Sequence, residues 1–165
     1  MVSQSNLGVL LIDMQESFLY GIPSLNYLIE SQVRVLKKCA EYDVPVIALE
    51  FTGEGKTIDK LLVPFKKVPR KNIVKKNTLD GFCNKELAKQ LQDWNIKHLF
   101  LMGVYGSGCV YQTALGAKEG GFKVFTAGDV IRNTKYIGED SIPFAYNIIG
   151  KYFLKHQDFF SDLSI

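Results

Sequence analysis

Three side chains able to make and break bonds stand where strongly apolar stretches of this 165-residue chain run out: Asp13 after 7–12, Lys76 at the end of 73–76, and Cys109 just beyond 98–103. A thiol, a carboxylate and an ammonium group form a working set for attack on a carbonyl. The sulfur attacks the carbon, the carboxylate takes the thiol proton and returns it to a leaving amine, and the cation balances negative charge as it develops. Cys109 follows Gly103-Val104-Tyr105-Gly106-Ser107-Gly108 and precedes Val110-Tyr111-Gln112, which puts it in the first turn of a helix fed by a glycine-rich bend. Free backbone N–H groups and the positive end of the helix dipole favour a thiolate there and can hold the oxyanion of an attacked carbonyl. Each residue also has an ordinary reading. Most cysteines are buried structural thiols, which suits Cys39 on a helix face. A strand-end aspartate can satisfy backbone donors, and a lysine beside Lys75 can simply be solvated. The Gly106-Ser107-Gly108 turn lacks the glycine spacing and the Gly-Lys-Ser/Thr ending of nucleotide-binding loops.

Those three residues belong together only if the elements carrying them converge. The run 7–12 is apolar on both faces, the mark of a central parallel strand rather than a half-wet one. Residues 25–42 place Leu28, Ile29, Val33, Leu36 and Cys39 at helical spacing, and Asp43 and Pro45 stop them. Strand 44–51 then leads into Thr52-Gly53-Glu54-Gly55, followed by a short helix 57–65 and a short strand 73–76. The alternation continues with a helix over 84–94, strand 98–103, helix 106–120, strand 122–126, helix 141–150, a last strand 152–156 and a terminal turn or helix 157–163. Strands alternating with helices predict a parallel sheet covered on both faces, with its functional crevice at the carboxyl ends of the strands. One domain spanning 1–165 is expected, with no internal repeat or linker.

Composition narrows the function classes. Hydrophobic residues make up 47% and charged residues 22%, a globular balance. The net charge of +3 is small, and the lysine pairs are scattered between apolar segments, which argues against a nucleic-acid face. Three cysteines at irregular spacing and a polar start point to a reducing cytoplasm, and no apolar run is long enough for a membrane span.

At these residues the chain resembles the isochorismatase-like cysteine hydrolases, a family that includes nicotinamidases and N-carbamoyl amidohydrolases. Leu10-Leu11-Ile12-Asp13-Met14-Gln15-Glu16-Ser17-Phe18 is similar to the family's first-strand signature, Lys76 with Phe82 to its lysine segment, and Gly103-Val104 through Cys109-Val110, with Thr113 and Ala117, to its nucleophile turn. The resemblance implies a three-layer αβα fold with a six-stranded, mainly parallel sheet of order 3-2-1-4-5-6. It implies Asp13 as general base and acid, Lys76 as electrostatic partner and Cys109 as nucleophile. It further implies a cis peptide between Val104 and Tyr105, oxyanion donors at Tyr105 and Cys109, and a pocket drawing on Gln15, Phe18, Phe82, Val104 and Tyr105. A small-molecule substrate and no cofactor are expected for this chain, and because the family generally assembles, a homodimer or homotetramer is expected.

The chain also departs from that pattern. Tyr105-Gly106-Ser107-Gly108 stands where the family commonly has a small residue, Thr or Ser, and an acid, so the two glycines are expected to loosen the turn and Tyr105 to alter the pocket wall. Asp80 adds a carboxylate expected to compete for the charge of Lys76. The second strand ends Glu50-Phe51-Thr52-Gly53 without the Asp-x-His metal motif of nicotinamidases, and with only His98 and His156 in the chain no metal site is expected. The resulting expectation is a metal-free hydrolase of a small amide or carbamoyl C–N bond. A redox-sensing thiol, a catalytically silent binding protein of the same fold and a vinyl-ether hydrolase are the alternatives.

Overall fold

The computed structural model describes residues 2–163; Met1, Ser164 and Ile165, at the ends of the expected domain, lie outside the described residues. Among the described residues six strands form one all-parallel sheet in the order 3-2-1-4-5-6, with helices on both sides. The strands are β1 (Leu7–Ile12), β2 (Val46–Phe51), β3 (Lys71–Lys76), β4 (His98–Val104), β5 (Lys123–Arg132) and β6 (Lys151–Phe153). The helices are α1 (Leu25–Glu41), α2 (Asp59–Phe65), α3 (Lys85–Asp93), α4 (Cys109–Glu119), α5 (Ile142–Ile149) and α6 (His156–Ser161). Every residue of β1 and β4 is buried, as their unbroken apolar sequences require of central strands covered on both faces. The winding reverses between them, so their carboxyl ends open the crevice in which Asp13 emerges. No helix among the described residues is long and apolar enough to cross a membrane.

Two local details decide what reaches that crevice. Strand β3 is an edge strand in which Val74 and Lys76 turn inward while Ile73 and Lys75 stay exposed. Because side chains alternate with a period of two, this register sends Lys76, and not its neighbour Lys75, into the interior. Opposite, Gly103 of β4 pairs with Ile12 and has φ +139, and a Cβ there would stand 2.1 Å from the Ile12 carbonyl oxygen. Glycine is what allows the two central strands to close just before Asp13, itself in the left-handed region at φ 54. Gly103→Ala is therefore expected to lower unfolding stability by more than about 3 kcal/mol in urea titration, since backbone and not a flexible side chain is in the way.

The sequence reading ends the fifth strand at residue 126, but β5 continues to Arg132. The ladder with β4 shifts register between Leu101 and Gly103, which lets the chain pass through Gly128 and Asp129 and resume pairing at Ile131. His156, expected at a strand end, opens α6 instead. Its ring Nδ1 lies 2.7 Å from Asp129 Oδ2 and its backbone N–H donates to Asp129 Oδ1 at 2.8 Å, with both side chains buried. This pair ties the last helix to the extended end of β5.

Candidate active site

The structure brings Asp13, Lys76 and Cys109 together at the carboxyl ends of β1, β3 and β4. Lys76 Nζ is 2.8 Å from Asp13 Oδ2, and both side chains are almost fully enclosed. Cys109 lies close enough to both that each acts on the ionisation of its thiol. The ammonium also donates to the Thr78 carbonyl at 3.1 Å and sits 4.7 Å from the centre of the Phe51 ring, so its charge is held from three sides. Burial raises the Asp13 pKa above its ordinary value, and the lysine's hydrogen bond and charge offset that only in part.

The state of the sulfur corrects the expectation of a resting thiolate. Burial, then the hydrogen bond and charge of Asp13, push the Cys109 thiol up to about 11 against the pull of Lys76. Cys109 does sit at the first position of α4, but enclosure and the adjacent carboxylate outweigh its cationic surroundings. At neutral pH the sulfur keeps its proton, next to a carboxylate whose affinity for protons is raised.

The turn that delivers the sulfur is firmly held rather than loosened by its glycines. Tyr146 of α5 donates to the Gly106 carbonyl at 2.8 Å, and Gly106 N–H donates to Arg132 O at 2.9 Å. Buried Asn133 accepts from both the N–H and the hydroxyl of Ser107, at 2.9 and 3.0 Å, and donates to Gly138 O. A Cβ at Gly106 would meet Ile142 at 2.7 Å, so the missing side chain is what lets α5 close on the turn. The Val104–Tyr105 peptide is cis. Gly106, Ser107, Gly108 and Val110 all spend their backbone N–H groups, whereas those of Tyr105 and Cys109 have no acceptor among the described residues.

The predicted pocket residues divide. Phe18 and Tyr105 stand at the site: the Tyr105 hydroxyl donates to the Phe18 carbonyl at 2.9 Å, and the two rings meet edge-on at 6.1 Å. Gln15 is buried with its amide committed to backbone, donating to Phe51 O and Gly55 O and accepting from Phe51 N–H, so it orders the loop after β2. Val104 is sealed in the core at 1% exposure and contributes backbone. Phe82 turns away, its ring 5.5 Å from Phe122 beyond the far end of α4. Asp80 causes that turn, accepting from Phe82 N–H while its carboxylate packs on Gly116 of α4. Burial is the leading influence on Asp80 and Lys76 the least, so it does not compete seriously for the lysine.

Phe51 weighs more in the site than its sequence context suggests: it carries the Lys76 ammonium and meets Phe18 edge-on at 6.1 Å. Its place as the last residue of β2, on the same carboxyl edge, was the available signal. Asn133 and Tyr146, which hold the turn, carry no local signal in the sequence. At the end of β2, Glu50 is occupied by Lys75 at 2.5 Å and by Thr57 N–H, and no group of three or more metal-ligating side chains stands together among the described residues.

A family model for the isochorismatase domain matches residues 8–135. The chain is 27% identical over 132 residues to a streptothricin hydrolase of Streptomyces noursei, covering 74% of this chain and 52% of that protein. It spans about half to two thirds of the length of the curated relatives it matches. Among solved structures it is similar to the MAR1 ribonuclease of Caenorhabditis elegans (TM-score 0.81, 19% identity, 98% of this chain and 83% of that one). It is also similar to a nicotinamidase of Staphylococcus aureus (TM-score 0.80, 17% identity, 90% of this chain and 99% of that one). At these identities the two structures establish the fold alone.

Proposed function

Because the chain belongs to the isochorismatase family, we propose that it is a cysteine hydrolase that cleaves a small amide or carbamoyl C–N bond through a covalent intermediate on Cys109. The observation that carries this reading is the enclosed 2.8 Å Asp13–Lys76 pair, with the nearly buried Cys109 thiol under the influence of both its members. In the first step Asp13 takes the thiol proton as Sγ bonds to the carbonyl carbon, and the carbonyl oxygen becomes an oxyanion held by the N–H groups of Tyr105 and Cys109. The tetrahedral adduct collapses, the C–N bond breaks, and Asp13 returns the proton to the departing amine or ammonia. Water then adds to the thioester with Asp13 accepting its proton, and the proton goes to Sγ as the acid leaves. The hydrogen bond and charge of Lys76 offset part of the burial that favours a neutral Asp13 carboxyl.

Exposed Phe144 and Ile148, one turn apart on α5, with exposed Leu154, support self-association of copies. Ammonia release from a panel of primary amides and ureido compounds tests the activity. Hydrolysis of at least one of them by the wild type, and none by Cys109→Ala, is expected; equal rates for the two proteins would overturn the reading.

Asn133 is a positioning residue in this account. Asn133→Ala is expected to lower kcat by about 10- to 100-fold while KM changes little, because the Ser107 turn loses its anchor but the pocket wall does not. Asn133→Asp, which keeps the acceptor oxygen, is expected to fall between. A change confined to KM would remove Asn133 from this role.

A further inference from the structure

The carboxyl edge of the sheet carries a cavity of about 410 Å³ between the ends of β2 and β3 and the start of α3. Lys76 is common to this cavity and to the Asp13–Cys109 cluster; Lys75, Lys85, Asn77 and the exposed Cys83 also line it. No carboxylate is among its lining residues. Of the acids near its lysines, Glu50, 2% exposed, holds Lys75 Nζ at 2.5 Å, and Asp13, 1% exposed, holds Lys76; the half-buried Asp80 feels Lys76 only weakly and accepts from Phe82 N–H. Lys85 has no acidic partner among the described residues.

That arrangement gives the cavity a one-sided chemistry. An ammonium has three donors, so Lys75 keeps protons beyond the one committed to Glu50, and its side chain is 59% exposed. Lys85 is the first residue of α3, whose positive dipole end adds to the field there. A cationic group placed here would meet like charge with no acceptor carboxylate, whereas a two-oxygen anion would meet two lysines with donors to spare. We propose that this cavity is a carboxylate-binding subsite, so that the compound hydrolysed at Cys109 is a small amide or carbamoyl compound carrying a carboxylate. The substrate clause rests on the reading of the preceding subsection; the anion preference of the cavity does not.

Cys83 provides a probe independent of turnover. In Cys109→Ala protein, the anionic 2-sulfonatoethyl methanethiosulfonate is expected to label Cys83 at least about fivefold faster than the cationic 2-trimethylammonioethyl reagent. Both rates are normalised to free cysteine and measured at low salt, where such fields are least screened. Lys85→Glu, which places an acid where a helix start favours one, is expected to erase most of that difference. Equal rates, or a faster cationic reagent, would overturn the subsite. For the substrate clause, ammonia release from succinamate is compared with release from valeramide. A KM at least about tenfold lower for succinamate is expected, and Lys85→Glu is expected to shrink that ratio by about five- to tenfold. Equal KM values would overturn the substrate class. If neither amide is hydrolysed while the labelling preference holds, the subsite stands and the substrate class falls; if the whole panel of the preceding subsection is also left intact, the hydrolase reading falls with it.

Discussion

Cys109→Ala is expected to abolish hydrolysis, with kcat/KM down by about 10⁴-fold or more and no acyl adduct on the protein. Losing the nucleophile removes the covalent route itself, and what remains is whatever rate the open N–H groups and binding can supply to water. The fold has little reason to follow. Cys109 is 7% exposed at the first turn of α4, where alanine is well accommodated, and the Ser107 turn is held by Asn133 and Tyr146 without the sulfur. Thermal unfolding within a few degrees of wild type alongside lost activity separates chemistry from collapse. A variant that keeps a substantial fraction of the wild-type rate would mean that water, not sulfur, attacks.

Asp13→Asn is expected to separate two properties that usually move together, with hydrolysis falling by about 10³-fold or more while the thiol becomes easier to alkylate. Asparagine preserves shape and a hydrogen bond but cannot take the thiol proton or return it to the amine. Burial raises the thiol first, and the hydrogen bond and charge of Asp13 add to it. Removing those two leaves Lys76 as the nearest charge, which pulls the thiol pKa down. The midpoint for iodoacetamide reaction is expected at about 11 in the wild type and at lower pH in the variant. A parallel loss of alkylation and hydrolysis would contradict this assignment of the proton.

The same groups fix the pH profile of the wild type. The working state has an ionised Asp13 and a protonated sulfur. Protonation of Asp13 stops turnover on the acid side, and because its pKa is raised, that limb lies above the ordinary carboxylate value of 3.8. On the alkaline side a second proton leaves the pair as pH approaches about 11, and no proton remains for the departing amine. A broad plateau between these limbs is expected in kcat/KM. An acid limb at or below 3.8 would mean that Asp13 is not the base.

Much of this was legible in the chain. The unbroken apolar runs before Asp13 and before the Gly106 turn identify two central strands, and their carboxyl ends are where an α/β sheet places its chemistry. The lysine is a subtler case: Lys75 and Lys76 are chemically identical in sequence, and only the β3 register puts the second inside. What stayed illegible depends on contacts between distant segments. Nothing local shows that the fifth strand slips register and runs on through Gly128 and Asp129, or that His156 pairs with Asp129 instead of ending a strand. Asn133 lies 26 residues from the serine it anchors. Phe82 carried a plausible place in the motif, yet Asp80 turns it toward Phe122. The ionisation of Cys109 could not be read from its helix position, because burial and Asp13 are tertiary facts.

The central claim is that one sulfur bonds to the substrate carbonyl, and the most direct measurement is the mass of the protein during turnover. Wild-type protein is acid-quenched in the steady state with an activated amide, such as a p-nitroanilide, and digested. The account predicts a mass increment equal to the acyl fragment on the peptide containing Cys109, hydroxylamine-sensitive as a thioester is, and absent in Cys109→Ala. Product formation with no increment and no partitioning to added hydroxylamine, or an increment carried by Cys83 or Cys39, would contradict it.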